Sequence, residues 1–125
     1  NFETNSAPFI NYAYTRAVGI LRKLGESPPS IDYPLINDAL SRRLVFEISR
    51  FPQIFCDAAD SLRPDDIANY CNMLAEKFHE YYEKVDVIHV EDEALRYARG
   101  ALVRAIQIVL RNGMAVLGMN LSERM

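Results

Sequence analysis

Phe9, Tyr12, Arg16 and Lys23 share a narrow arc on the first helical stretch of this chain, two rings and two cations on one side of a helix. Unpaired bases stack on aromatic faces and guanidinium planes, and cations meet phosphates, so the combination suits single-stranded RNA. The same residues would serve as a core boundary flanked by two solvated charges, and spacing alone leaves both readings open. Tyr70, Tyr81 and Tyr82 form a second aromatic group that could present its rings or fill gaps between helices.

Catalytic chemistry is harder to find. His79 and His89 are the only histidines, and neither belongs to a metal-ligand spacing. No His-Glu-x-x-His, paired Cys-x-x-Cys or phosphate-cradling glycine loop occurs. The carboxylates of Asp57, Asp60, Asp65, Asp66, Glu91, Asp92 and Glu93 sit near helix ends, where capping and solvation account for them. The serines lack a histidine and acid at a nucleophile's spacing. The residues therefore predict no catalytic centre, no bound cofactor and no metal in this segment.

The elements that must carry the aromatic arc are helices. Pro8 opens the first, with Ser6 as its cap, and the stripe Ile10, Ala13, Ala17, Ile20, Leu21 and Leu24 runs to a stop at Gly25. After a loop over 25–32, a second helix is expected from Pro34 to Arg50. Pro52 then restarts a short helical piece through Ala59. Pro64 begins a third long helix with Ile67, Cys71, Leu74 and Phe78 on one face. Residues 85–90 alternate weakly, but a strand there would have no partner, so they read as a connector. The last helix starts near Glu91; Gly100 and Gly113 mark a bend or a close helix contact. Arg96, Arg99, Arg104 and Arg111 along it read first as partners for nearby carboxylates. The fold class is all-α, a bundle of four principal helices plus a short helix.

With 125 residues, half of them hydrophobic and a quarter charged, the chain makes one ordered domain. No apolar run reaches the roughly 18 residues of a membrane span, so no membrane is expected as a partner. The net charge of −3 argues against indiscriminate nucleic-acid affinity, which comes mainly from neutralising phosphates, but leaves room for a local basic face. Cys56 and Cys71 read as buried, reduced thiols of a cytoplasmic protein, with a disulfide as the other possibility. Asn1 is not an initiator, and the chain closes on Leu117, Met119, Leu121 and Met125. An apolar end of this kind is expected to have somewhere to pack. Residues 1–125 therefore read as the C-terminal piece of a longer protein.

Longer blocks add a resemblance. Ser6-Ala-Pro-Phe-Ile-Asn-Tyr-Ala-Tyr-Thr-Arg16, followed by Gly19-Ile-Leu-Arg-Lys23, is similar to the segment that leads into the C-terminal helical domain of arginyl-tRNA synthetases. Arg50-Phe-Pro-Gln-Ile-Phe-Cys-Asp-Ala-Ala59 resembles that family's next block. So do Tyr70-Cys-Asn-Met-Leu-Ala75 with Phe78, Tyr81 and Tyr82, and Val109-Leu-Arg-Asn-Gly-Met-Ala-Val-Leu-Gly-Met119 with Glu123-Arg-Met125. The blocks keep family order and cover nearly the whole chain.

The resemblance implies a single helical anticodon-binding domain from a longer arginine–tRNA ligase. Its partners would be the anticodon loop of arginine tRNA and the catalytic domain of the same chain. That separate catalytic domain would use ATP, with magnesium, and arginine; the domain itself would be non-catalytic. By position, Phe9 and Tyr12 correspond to first-helix aromatics that lie against anticodon-loop nucleotides, and Arg16 to the arginine of that motif. Tyr82 corresponds to an aromatic near the end of the third long helix, with Tyr81 its neighbour. Met125 corresponds to a terminal methionine beside a splayed base. Three departures bear on individual contacts: Phe9 where Tyr is common, Asn11 for Gln, and Ser122 for Pro in the tail. The alternative is a protein-interaction or structural bundle descended from such a domain.

Overall fold

The computed structural model describes residues 6–118. Five α-helices occur among them, α1 (Ser6–Leu24), α2 (Ala39–Ser49), α3 (Phe51–Ser61), α4 (Pro64–Lys84) and α5 (Glu93–Val116), with a 3₁₀ turn at Tyr33–Leu35 and no strand. The bundle is all-α as the periodicity predicts, but α2 and α3 are equally long at 11 residues each.

Local chemistry sets most of the boundaries. Gly25, at φ +76°, takes the left-handed conformation that ends α1, and its N–H donates to the Leu21 carbonyl at 3.1 Å. The expected start of the second helix at Pro34 is five residues early. Proline there builds only the 3₁₀ turn, and the true cap is Asp38. Its carboxylate accepts from the Ser41 N–H at 3.0 Å and from the Ser41 hydroxyl at 2.7 Å. Pro52 and Pro64 each occupy a first turn, where the missing N–H costs nothing. Asp92 caps α5 by accepting from the Leu95 N–H at 3.2 Å.

Helix α1 lies against α4 and α5, while α2 bridges α4 and α5, and α3 packs on α4. Ile10, Ala13, Ala17 and Ile20 of the predicted stripe are buried against Leu74, Phe78, Ile106 and Leu110 in one core. Neither glycine interrupts α5, which runs unbroken from Glu93 to Val116. Instead both mark close approach: a Cβ on Gly113 would lie 2.5 Å from Cys71 Sγ, and one on Gly100 would lie 2.6 Å from Leu24 Cδ1. Two polar atoms of the core are paired across helices. The Tyr70 hydroxyl donates to the Glu47 carbonyl at 2.6 Å, and Gln107 Nε2 donates to the Tyr14 hydroxyl at 3.4 Å.

Two sequence expectations are corrected here. Cys56 is exposed, because α3 covers α4 with its Ala58 side and turns residue 56 outward; only Cys71 is buried, and both thiols are free. Arg96 donates to the backbone carbonyl of Val90 (2.9 Å) instead of a carboxylate, and Arg99 donates to that of Asp86 (2.6 Å) while its charge also acts on the expected kind of partner, the Asp38 carboxylate at the start of α2. They thus tie the strandless connector 85–92 to the start of α5.

Candidate nucleic-acid interface

Spacings of three and four residues put Phe9, Tyr12 and Arg16 on one side of α1, and the packing of α1 on α4 brings that side against His79 and Tyr82. The Arg16 guanidinium is the hub. Its carbon lies 3.8 Å from the centre of the Tyr82 ring and 4.6 Å from that of Tyr12. Nη2 donates to the Tyr12 hydroxyl, and Nη1 lies 3.2 Å from His79 Nδ1. The imidazole in turn stacks on Tyr12, with centroids 5.2 Å apart and planes at 27°, and meets Phe9 at 4.9 Å in a tilted contact.

Burial grades this cluster from core to surface. Phe78 is fully buried beneath it, Phe9, Tyr12, Arg16 and His79 are half-buried, and Tyr82 is 41% exposed. Burial, reinforced by the adjacent Arg16 charge, holds the His79 pKa below its ordinary 6.5 against the opposing pull of Glu83 and the Phe9 carbonyl. Near neutral pH the site therefore combines one fixed cation with aromatic faces and a neutral imidazole, which can stack bases and attract phosphate.

The other residues singled out from sequence lie elsewhere. Tyr81 is fully buried; one residue along a helix is about 100° of rotation, and that turns its ring away from Tyr82 into the core. Tyr70 is also in the core. Lys23 is exposed, two turns beyond Arg16. Met125 and the Ser6 side chain lie outside the described residues. His79 is the member with no motif to mark it, since a lone histidine outside a metal-ligand spacing carries no signal of its own. The available signal was its place one turn before Tyr82.

Nothing in the cluster resembles a catalytic centre. Among the described residues no group of three or more His, Cys, Asp or Glu side chains could hold a metal. Burial pushes the Cys71 thiol up to about 12, which disfavours the nucleophilic thiolate. No helix among these residues is long and apolar enough to cross a membrane.

The family model described as the DALR anticodon binding domain matches residues 10–125. The chain belongs to that family. Curated relatives of this DALR domain include the arginine–tRNA ligase of Methanopyrus kandleri, 45% identical over 94% of the chain, and that of Ignicoccus hospitalis, 43% identical over all of it. In each case the DALR domain spans only 20% of the relative's length. The fold agrees with that of Thermus thermophilus arginyl-tRNA synthetase at a TM-score of 0.89 and 30% identity, over the whole chain and 22% of the synthetase. A protein described as a Campylobacter jejuni putative arginyl-tRNA synthetase shares the fold at a TM-score of 0.82 and 20% identity.

Proposed function

We propose that this DALR domain reads the anticodon loop of arginine tRNA through the Phe9–Tyr12–Arg16–Tyr82 face, as part of a cytoplasmic arginine–tRNA ligase. The observation that carries this reading is the Arg16 guanidinium resting on the half-exposed Tyr82 ring beside Tyr12. A splayed base finds a flat, cation-backed surface there, and each base stacked on an aromatic contributes about 1–3 kcal/mol. The net charge of −3 makes the attraction local. The domain alone therefore binds weakly; in the ligase, contacts at the acceptor end of the tRNA raise its effective concentration. The catalytic domain of the same chain would bind ATP with magnesium and arginine, and the chemistry would be done there. Met125 joins the proposal as an apolar contact from the C-terminus.

Titration of the domain at low salt with anticodon stem-loops of arginine tRNA, against loops altered at the middle and third anticodon bases, tests this reading. Preference for the arginine loops that weakens in Tyr12→Ala is the expected result. Equal affinity for all loops, unchanged by that substitution, would sink it. The alternative, a protein-interaction bundle, is favoured by one feature: an apolar groove of about 290 Å³ lined by Tyr33, Ile36, Val45, Ile48, Ala101 and Ala105, away from the α1–α4 face. A domain indifferent to RNA that forms a stable oligomer would favour that alternative.

A further inference from the structure

His79 stands at the centre of the α1–α4 cluster without being one of its exposed stacking surfaces. Arginine is donor-only and always protonated, so the nitrogen 3.2 Å from Arg16 Nη1 must accept. That assignment puts the single proton of the neutral ring on Nε2, a buried atom that makes no hydrogen bond. The ring itself has little freedom, held by Tyr12 on one side and by tilted contacts with Phe9 and Phe78.

We propose that His79 is a positioning residue: as the Nε2–H tautomer it accepts from Arg16 at Nδ1 and so holds the guanidinium flat on Tyr82, ready for RNA. The inference rests on the anticodon-loop reading and deepens it. An arginine side chain has many rotamers when free and would lose that freedom on binding. Here three contacts, to the Tyr12 hydroxyl, to His79 Nδ1 and to the Tyr82 face, have already ordered the guanidinium. Protonating His79 would replace the acceptor with a second cation against Arg16. The polar and charged groups acting on the ring are Arg16, Tyr12 and the Phe9 backbone from α1, and Glu83 on α4 itself. Of these, only Glu83 and the Phe9 backbone favour the charged form, and burial with Arg16 outweighs them. The clamp therefore stays closed at neutral pH and opens as pH falls through a value below 6.5.

Long-range proton–nitrogen NMR on the free domain, combined with stem-loop titrations of four variants, tests the clamp. The free domain should show His79 as the Nε2–H tautomer, with its pKa rising in Arg16→Gln as the neighbouring cation is removed. His79→Phe, which keeps a ring but no acceptor, should lower affinity for arginine stem-loops about tenfold, with its helical circular dichroism intact. His79→Asn, whose side-chain oxygen takes the place of Nδ1, should recover most of that loss. The Nδ1–H tautomer would overturn the inference. So would wild-type affinity in His79→Phe while Arg16→Gln and Tyr82→Ala weaken binding, a result that leaves the RNA-binding face standing. Wild-type affinity in all of these variants would overturn the face and the clamp together.

Discussion

Arg16 of α1 lies 3.8 Å above the ring of Tyr82 on α4, so the exposed surface of this DALR domain is built by a contact between two helices and not by either helix alone. The partners stand 66 positions apart along the chain. The contact couples the surface to the core, because Phe78, one turn before Tyr82, is fully buried and meets its ring at 6.5 Å.

Removing either partner should therefore weaken RNA binding without unfolding the domain. Tyr82→Ala is expected to cost about 1–3 kcal/mol of stem-loop affinity, the range for one lost base stack. Tyr82→Phe should cost far less, since the ring carries the contact. Fluorescence anisotropy against arginine stem-loops measures both, and equal losses would argue against stacking.

Gly113 and Gly100 should differ in their tolerance of alanine. Helix propensity alone makes Gly→Ala favourable by about 1 kcal/mol. At Gly113 the new methyl meets the sulfur of fully buried Cys71 at 2.5 Å, and overpacking of about 1–3 kcal/mol should win. At Gly100 the obstacle is the end of the partly exposed Leu24 side chain, which can rotate aside, so Gly100→Ala should be near neutral. Urea unfolding tests both, and Cys71→Ala should rescue Gly113→Ala in a double-mutant cycle.

Asp38→Ala should destabilise the domain by about 1 kcal/mol or somewhat more. It strips the cap from α2 and leaves the fully buried Ser41 hydroxyl without its acceptor. Burial alone would raise the Asp38 pKa, but the Ser41 hydroxyl and N–H outweigh it and hold the carboxyl below 3.8. A carboxylate depressed in the folded state adds stability that is complete above its unfolded pKa and is lost as pH falls through the folded one. The variant should therefore show a shallower loss of stability below pH 3.8 than the wild type in acid unfolding curves.

The two cysteines should separate cleanly by reactivity. At pH 8 a thiol-specific disulfide reagent should modify exposed Cys56 quickly. Cys71, buried with its thiol pushed up to about 12, should react only on unfolding. One thiol per chain released in the native state and two in denaturant is the expected count. Fast labelling of both would mean that the α4–α5 contact at Gly113 opens readily.

Most helix boundaries follow from local rules. Pro52, Pro64 and Gly25 act within a single turn, so their effects on φ and on backbone donors appear in the linear chain and again in the fold. The helical period of Ile10, Ala13, Ala17 and Ile20 likewise marks the face that α1 buries. Pro34 misplaces the start of α2, because a proline restricts φ without supplying an acceptor; it builds only the 3₁₀ turn, and the Asp38 carboxylate with Ser41 three residues on completes the cap.

Tertiary packing decided what no helical period could. Tyr81 and Tyr82 are adjacent and chemically equal, yet one is fully buried and the other 41% exposed. The choice depends on how α1, α2 and α5 seat around α4, a sum of contacts among residues far apart in the chain. The same is true of His79, whose importance comes from standing 63 residues from Arg16 in sequence and 3.2 Å from it in space. By itself the sequence determined the helices and one aromatic, cationic face of α1, because those follow from neighbours within a few residues. The second half of the site, on α4, exists only once long-range burial has turned that helix.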